Sequence, residues 1–320
     1  MDGVFSIEMV FEQLFQLLPK EVEKQEYVCT PEWKRYRSFL KARKFQGSIN
    51  HITGDIHTIA LFLKGNKTIL TVHDIGRYER NLTGIRKLII KYLWLQWPLK
   101  KVAYVTTISE FTKQKLIDTC QIEAKKIKVI PNPASTDFKP NKKDFNEEQP
   151  LVLQIGGSSV KNLPRLIKAV QGTPFRLLLL RKPTAELKRQ LDEANITYEF
   201  RYNLTRGEVY QCYCDCDLVF FASEHEGFGV PILEAQQVGR PVITSNILPM
   251  NDVAGEGALL VNPTSIDEIK KALQKLKTKT EFRKNLLEKG NANLKRFSVT
   301  TVADKYVNLY KQLTKDLDNI

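Results

Sequence analysis

An apolar run, a glycine turn and the start of a helix follow one another in the C-terminal half of the chain. The run 218–222 predicts a buried strand, and the Gly-Phe-Gly sequence 227–229 followed by Pro231 predicts a turn into a helix. The first turn of such a helix offers backbone N–H groups and a positive dipole end to an anion. Glu226 and Glu234 flank this turn and can accept hydrogen bonds from hydroxyl groups. Because a nucleotide sugar carries both an anionic diphosphate and hydroxyl groups, the pattern favours a nucleotide-sugar site.

Strand-like runs alternate with helical patterns through most of the chain, which predicts an α/β fold with parallel sheets. The polar stretch 139–150 carries two prolines and predicts a linker. We therefore predict two doubly wound, Rossmann-like domains over 1–145 and 146–298, followed by a C-terminal helix over 299–320. A doubly wound domain usually begins with an apolar strand before a glycine turn. Here the glycine turn around Gly3 comes first, so either the first N-terminal strand is missing or another segment fills its position.

Basic residues outnumber acidic ones, 49 to 36, which leaves a net charge of +13. Such a charge fits nucleic acid, an anionic membrane surface or a phosphate-bearing substrate. Since no nucleic-acid-binding motif accompanies it, we expect phosphate and membrane partners and no nucleic acid. No apolar run is long enough to span a membrane, no secretory signal precedes the first helix, and the five cysteines form an odd number. These features predict a cytoplasmic protein, with peripheral contact at the inner face of the membrane kept as an option.

Two local patterns have both a chemical and a structural interpretation. Cys212, Cys214 and Cys216 alternate along the chain, but this spacing lacks the second pair of ligands that a zinc site needs, so we predict packing and no metal. The stretch 86–97 combines cations with tyrosine and tryptophan, which suits a helix lying on an anionic bilayer. Because its apolar residues occur nearly all around the helix, we favour a core helix over that interpretation.

Over most of its length the chain resembles the family 4 glycosyltransferases of the GT-B type, which have two Rossmann-like domains facing a cleft. The most specific motif is E-x7-E, formed by Glu226 and Glu234 around the glycine turn. Further segments resemble the family in the expected order: 3–8, 107–112, 129–133, 155–162, 217–223, 239–245 and 257–263. Their order and spacing carry the resemblance more than any single segment does.

The resemblance implies a retaining, metal-independent transfer of a sugar from a nucleotide-diphosphate sugar, with no cofactor. The C-terminal domain would bind the donor and the N-terminal domain the acceptor, with the last helix crossing back onto the N-terminal domain. The implied acceptor is a glycan or a lipid-linked molecule of surface polysaccharide or glycolipid biosynthesis. Two alternatives stay open: a non-catalytic binding protein with this fold, and another GT-B enzyme of the epimerase or phosphorylase type.

The resemblance also implies roles for individual residues. Glu226 would accept from a hydroxyl of the donor sugar, Glu234 would accept from the ribose, and Lys161 would neutralise the departing diphosphate. His57 and His73 would line the cleft and take part in catalysis from the N-terminal half. Further donor-binding residues are implied to be Gly3, Gly157, Ser158, Arg181, Tyr202, Leu204, Gly227, Phe228, Gly229 and Val230, with Tyr202 and Leu204 at the nucleobase.

One departure from the family concerns the diphosphate. The family often has an arginine about five positions before the lysine, and here Gly156 and Gly157 occupy that place. The second cation must then be Arg165 or Arg181, unless backbone donors replace it. Each assigned residue also has a structural alternative, such as a surface acid, a solvated lysine, an ordinary strand-to-helix turn or a buried histidine.

Overall fold

The computed structural model describes residues 7–19, 22–29, 35–76, 78 and 83–319. The chain divides into two compact units. The C-terminal unit comprises Ala134–Ser298, and the N-terminal unit comprises the described residues before Ala134 together with those after Ser298. Gly3, which was predicted to bind the donor, lies outside the described residues.

The N-terminal unit contains a four-stranded parallel sheet whose strands follow chain order. These strands are β1 (Asn50–Ile52), β2 (Thr68–Val72), β3 (Tyr104–Thr107) and β4 (Ile127–Val129). The helices before the unit boundary are α1 (Ile7–Gln16), α2 (Arg35–Ala42), α3 (Gly84–Ile90), α4 (Trp97–Lys101) and α5 (Glu110–Cys120). A π-helical turn, Lys91–Gln96, joins α3 to α4. In the part of this unit that the structure describes, α1 precedes every strand.

The C-terminal unit contains a six-stranded parallel sheet, in the order β10-β9-β8-β5-β6-β7. Its strands are β5 (Leu151–Ile155), β6 (Arg176–Leu180), β7 (Tyr198–Arg201), β8 (Leu218–Phe221), β9 (Val242–Ser245) and β10 (Leu259–Val261). Its helices are α6 (Leu163–Val170), α7 (Ala185–Glu193), α8 (Arg206–Asp215), α9 (Val230–Val238), α10 (Met250–Ala254), α11 (Ile266–Thr278) and α12 (Thr280–Asn293). The strand order reverses between β5 and β8, and such switch points are where open α/β sheets bind ligands.

The last helix, α13 (Val299–Asp318), belongs to the N-terminal unit. The Tyr310 hydroxyl lies 2.8 Å from Nδ1 of His51 on β1. The Tyr104 hydroxyl on β3 donates to Asp316 Oδ2 at 2.6 Å. These two contacts hold the end of the chain against the first and third strands.

The core of the C-terminal unit follows from its strand sequences. Leu177, Leu218 and Phe220 are at most 1% exposed and pack in one cluster with side chains of α6 and α11. Strands of a parallel sheet are buried on both faces, which explains their nearly continuous apolar runs. This rigid sheet positions the loops that follow its strands.

The predicted linker 139–150 packs against the C-terminal unit. Arg240 Nη2 donates to Asn141 Oδ1 at 2.7 Å, and Lys143 pairs with the buried carboxylate of Asp217. The guanidinium of Arg283 lies 4.2 Å from the centre of the Phe145 ring. Residues just before the predicted boundary at 145 therefore pack with the unit that follows them.

The core interpretation of the stretch 86–97 is wrong for α3, which has no buried residue. It is right for Trp94 and Leu95 in the following π turn, which are both buried. Of the apolar residues of α3, Ile90 is partly buried against the core of this unit, whereas Ile85, Leu88 and Ile89 are exposed. No helix in the described ranges combines the length and apolar character needed to cross a membrane.

Candidate active site

The carboxyl ends of β5 and β8 bring two distant sequence motifs together. The two strands are hydrogen-bonded neighbours, with Gln154 opposite Phe220 in the register. The loop after β5 contains Gly156 and Gly157, and the loop after β8 contains Glu226. Because parallel strands end at the same edge of a sheet, both loops leave the sheet side by side.

The Lys161 ammonium donates to Glu226 Oε1 at 2.6 Å. Both side chains are largely shielded, with 21% and 16% of their surfaces exposed, and the ammonium also lies 4.6 Å from the centre of the Phe221 ring. Glycine at position 156 leaves room for the Lys161 side chain, because an added Cβ would lie 3.1 Å from Lys161 Cε. The φ of Gly156, +94°, also favours glycine. The structure thus brings two of the predicted catalytic groups into direct contact.

The first turn of α9 lies on the same loop. Gly229 has a φ of +117°, which only glycine adopts without strain. Pro231 follows in the first turn, and no side chain caps the start of the helix. Phe228 is buried and packs edge-on against Phe297, with ring centroids 5.9 Å apart. The turn therefore keeps the uncapped helix start that an anion site requires.

Glu234 has a different environment from the one expected of a ribose ligand. It is 4% exposed, and its two oxygens accept from Arg206 Nη1 at 2.7 Å and from the Tyr213 hydroxyl at 2.5 Å. Arg206 in turn lies 4.2 Å from the centre of the Phe138 ring. Burial, and then the Glu234 charge, raise the pKa of Tyr213 well above its usual value. Arg206 and Tyr213 were not predicted, because no sequence pattern connects them to Glu234.

The two candidate arginines have unlike surroundings. Arg165 Nη1 pairs with Glu224 and also donates to Asn162 Oδ1 at 2.8 Å. Arg181 follows β6 directly, and its Nε is buried without a hydrogen-bond partner. Its guanidinium lies beside Gly157, where an added Cβ would be 3.9 Å from Cζ. Within the described residues, Arg181 has no acidic partner.

The remaining donor-side predictions lie in exposed loops at the same edge of the sheet. Gly157 and Ser158 are in the loop after β5, and both are exposed. Tyr202, 47% exposed, and the half-buried Leu204 follow β7. Since β5, β6 and β7 are neighbours in that order, the loops carrying Gly157, Arg181 and Tyr202 form a row along one edge.

The predicted catalytic histidines lie in the N-terminal unit. His57 is 1% exposed, stacks on Trp94 with ring centroids 4.3 Å apart, and donates from Nδ1 to the Trp94 carbonyl at 3.1 Å. Burial lowers its pKa to about 3. This position favours a structural role for His57 over the predicted catalytic one. His73 follows β2 and is half-buried, with Nε2–H donating to the Thr53 carbonyl at 2.8 Å.

The three alternating cysteines, Cys212, Cys214 and Cys216, are buried. Within the described ranges, no group of His, Cys, Asp and Glu residues has the arrangement of a metal site. Packing accounts for these cysteines, as free thiols behave like small apolar side chains.

Comparisons with known proteins agree with this architecture. Residues 135–292 match the family model "Glycosyl transferases group 1", and residues 19–138 match the model "Glycosyltransferase Family 4". The O-antigen chain mannosyltransferase RfbU of Salmonella typhimurium (strain LT2) is 30% identical over 250 residues, which are 72% of this chain and 66% of the length of RfbU.

Solved structures share the fold at low sequence identity. Anabaena Alr3699/HepE in complex with UDP has a TM-score of 0.74 at 16% identity, covering 86% of this chain and 82% of that one. WaaG, a glycosyltransferase involved in lipopolysaccharide biosynthesis, has a TM-score of 0.67 at 14% identity, covering 97% and 96%. Two α/β units, each with a parallel sheet, and these likenesses show the GT-B fold that the sequence predicted. The two matched family models together span residues 19 to 292, and the chain belongs to the family 4 glycosyltransferases.

Proposed function

We propose that this protein transfers a sugar from a nucleotide-diphosphate sugar to a glycan or lipid-linked acceptor in surface polysaccharide biosynthesis. The observation that carries the proposal is the contact between Lys161 and Glu226 beside the uncapped start of α9. The kinship supports the class of reaction, because RfbU is named an O-antigen chain mannosyltransferase. The crystal structure of Alr3699/HepE with UDP supports a nucleotide donor.

In the proposed mechanism, the diphosphate oxygens compete with Glu226 for the Lys161 ammonium. The lysine then balances the negative charge that grows on the leaving group, and the released carboxylate accepts from a hydroxyl of the donor sugar. Backbone N–H groups of residues 227–230 would hold the diphosphate and sugar. We infer that the transfer is metal-independent and retaining: the acceptor oxygen attacks the same face that the diphosphate leaves, and the acceptor hydroxyl gives its proton to the departing phosphate oxygen. The enzyme then contributes placement and charge stabilisation.

The role of Glu234 changes in this proposal. The hydrogen bond between the Glu234 carboxylate and the charged guanidinium of Arg206 is stronger than one between this carboxylate and a neutral ribose hydroxyl. Arg206 therefore stays paired with Glu234 when the donor binds. Glu234 then holds Arg206 and Tyr213 in place and shapes the floor of the nucleoside site. The loop residues Tyr202 and Leu204 would contact the base.

Two measurements test the proposal. Thermal unfolding with UDP-, GDP- and ADP-sugars identifies the donor by a rise in Tm. Transfer of labelled sugar from that donor into a glycolipid extract then measures turnover, which Lys161→Ala and Glu226→Ala should each lower by about two orders of magnitude or more. Unchanged turnover in either variant removes the role assigned to that residue. A rise in Tm without transfer by the wild type favours the non-catalytic binding protein instead.

A further inference from the structure

Asn162 follows Lys161 in the chain and has an uncommon backbone conformation. Its φ is +60°, in the left-handed region, which asparagine tolerates better than most residues other than glycine. It is 1% exposed and directly precedes α6. An asparagine at this place often caps the helix with its own side chain, but the Asn162 side chain makes no cap bond to α6. Its polar atoms are therefore available for contacts outside the helix start.

The Asn162 amide connects three segments of the C-terminal unit. Nδ2 donates to the Ala222 carbonyl directly after β8 at 2.9 Å, and to the Pro263 carbonyl after β10 at 2.7 Å. Oδ1 accepts from Arg165 Nη1 at 2.8 Å. Both hydrogens of the amide nitrogen are thus donated within the protein. Since β8, β9 and β10 are neighbours in the sheet, one side chain ties the Lys161 loop to the ends of two further strands.

A backbone hydrogen bond joins the loops after β5 and β8 on the other side of Lys161. The Glu224 N–H donates to the Val160 carbonyl at 2.9 Å. The residue before Lys161 and the residue after it are therefore both bonded to the segment that leads to Glu226. These bonds do not involve the ion pair between Lys161 and Glu226, so they remain when that pair is broken.

We propose that Asn162 is a positioning residue for the sugar transfer, and that its amide fixes the Lys161 ammonium where the departing diphosphate needs it. This inference rests on the proposed function and adds a residue to it. A displacement of about 1 Å at a reacting group can lower turnover about 100-fold. Because both donors of the Asn162 amide are used inside the protein, Asn162 acts through Lys161 and does not itself bind the donor.

A double-mutant cycle on the full chain tests the proposal. Asn162→Gly keeps the left-handed conformation and removes the amide. It should lower kcat about 100-fold and leave KM nearly unchanged, because the ammonium neutralises charge that grows in the transition state. In a Lys161→Ala background the same substitution should lower kcat no further, since the lysine that it positions is gone.

Asn195→Gly is the matched control. Asn195 also has a left-handed conformation, with a φ of +50°, but it is exposed and precedes β7, at the opposite edge of the sheet from the site. This control should leave kcat unchanged. Asn162→Ser should lose less turnover than Asn162→Gly, because its hydroxyl can replace at most one of the two donated bonds. The serine variant takes the place of the glycine variant in the cycle if the latter does not fold.

Equal losses of kcat in the two backgrounds overturn the proposal, because they show that Asn162 supports the fold and not the lysine. Unchanged kcat in Asn162→Gly overturns it as well. Absence of transfer by the wild type removes the proposed function, and the same cycle is then measured as the Kd of UDP, GDP or ADP by isothermal titration.

In that binding cycle, Lys161→Ala should raise the Kd about 10- to 150-fold, as expected for the loss of a charged hydrogen bond. Asn162→Gly should raise the Kd only where Lys161 is present. A rise that does not depend on Lys161, or a wild type that binds none of the three nucleotides, overturns the positioning role.

Discussion

Replacing Arg181 by glutamine should weaken nucleotide-diphosphate binding without weakening the fold. The Arg181 guanidinium stands beside Gly157, at the place where the family's usual arginine is missing, and has no acidic partner in the described structure. A hydrogen bond to a charged group contributes about 1.5–3 kcal/mol. Losing one such bond to the diphosphate therefore raises the Kd about 10- to 150-fold.

The assay is isothermal titration with the nucleoside diphosphate that stabilises the protein best, and with the matching nucleoside. Arg181→Gln should raise the Kd of the diphosphate and leave that of the nucleoside unchanged, because the cation is proposed to contact phosphate only. Arg165→Gln is the matched control: Arg165 already pairs with Glu224, so its loss should leave the Kd of the diphosphate within about twofold.

The two arginine substitutions should have the reverse order of effects on the free energy of unfolding: the Arg165 substitution should lower it more than the Arg181 substitution does. Removal of Arg181 breaks no ion pair, so urea unfolding should be unchanged, whereas removal of Arg165 leaves Glu224 unpaired and costs up to about 1 kcal/mol. The reasoning is refuted if Arg181→Gln binds the diphosphate as tightly as the wild type does. It is equally refuted if nucleoside and diphosphate binding weaken together.

Three further predictions concern the stability of the fold. Gly156→Ala should lower the free energy of unfolding by about 1–3 kcal/mol, because φ is +94° and the new Cβ lies 3.1 Å from Lys161 Cε; an unchanged urea midpoint contradicts this. Tyr213→Phe should cost about 1.5–3 kcal/mol by removing the 2.5 Å hydrogen bond to buried Glu234, and a negligible loss would show that Arg206 alone suffices. Burial lowers the pKa values of His51 and His57 from 6.5 to about 3. Between pH 6.5 and about pH 3 the unfolded chain therefore binds protons at these histidines that the folded chain does not bind. The free energy of unfolding should fall as the pH drops through this range, by about 1.4 kcal/mol per pH unit for each histidine. Urea midpoints at pH 7 and pH 5 measure this fall, and His57→Phe should reduce it.

The local elements near the site were predictable because each one is encoded by adjacent residues. The strand Leu218–Phe221 lies within the apolar run 218–222 that predicted it and ends one residue earlier. Gly229 and Pro231 mark the turn into α9, since one has a positive φ and the other needs no backbone hydrogen bond. For these elements the physical cause lies within a few residues of sequence.

Three features could not be predicted from neighbouring residues. The partners of Glu234 come from α8, and only the packing of α8 against α9 brings Arg206 and Tyr213 to its carboxylate. His57 looked like a cleft residue because it follows a strand-like run, but the π turn places Trp94 over its ring. The same turn decides which residues of the stretch 86–97 are buried.

The sequence alone determined that this chain forms parallel α/β units and places a glycine turn, a lysine and two acids after particular strands. Periodicity and turn chemistry are local properties, because they depend on residues adjacent in the sequence and not on tertiary contacts. Only the tertiary structure decided which acid contacts the lysine, which acid is buried, which arginine lacks an acidic partner among the described residues and which side chains of α3 are exposed. Each of these depends on side chains far apart in the chain, whose distances are set by how strands order in a sheet and how helices pack upon it.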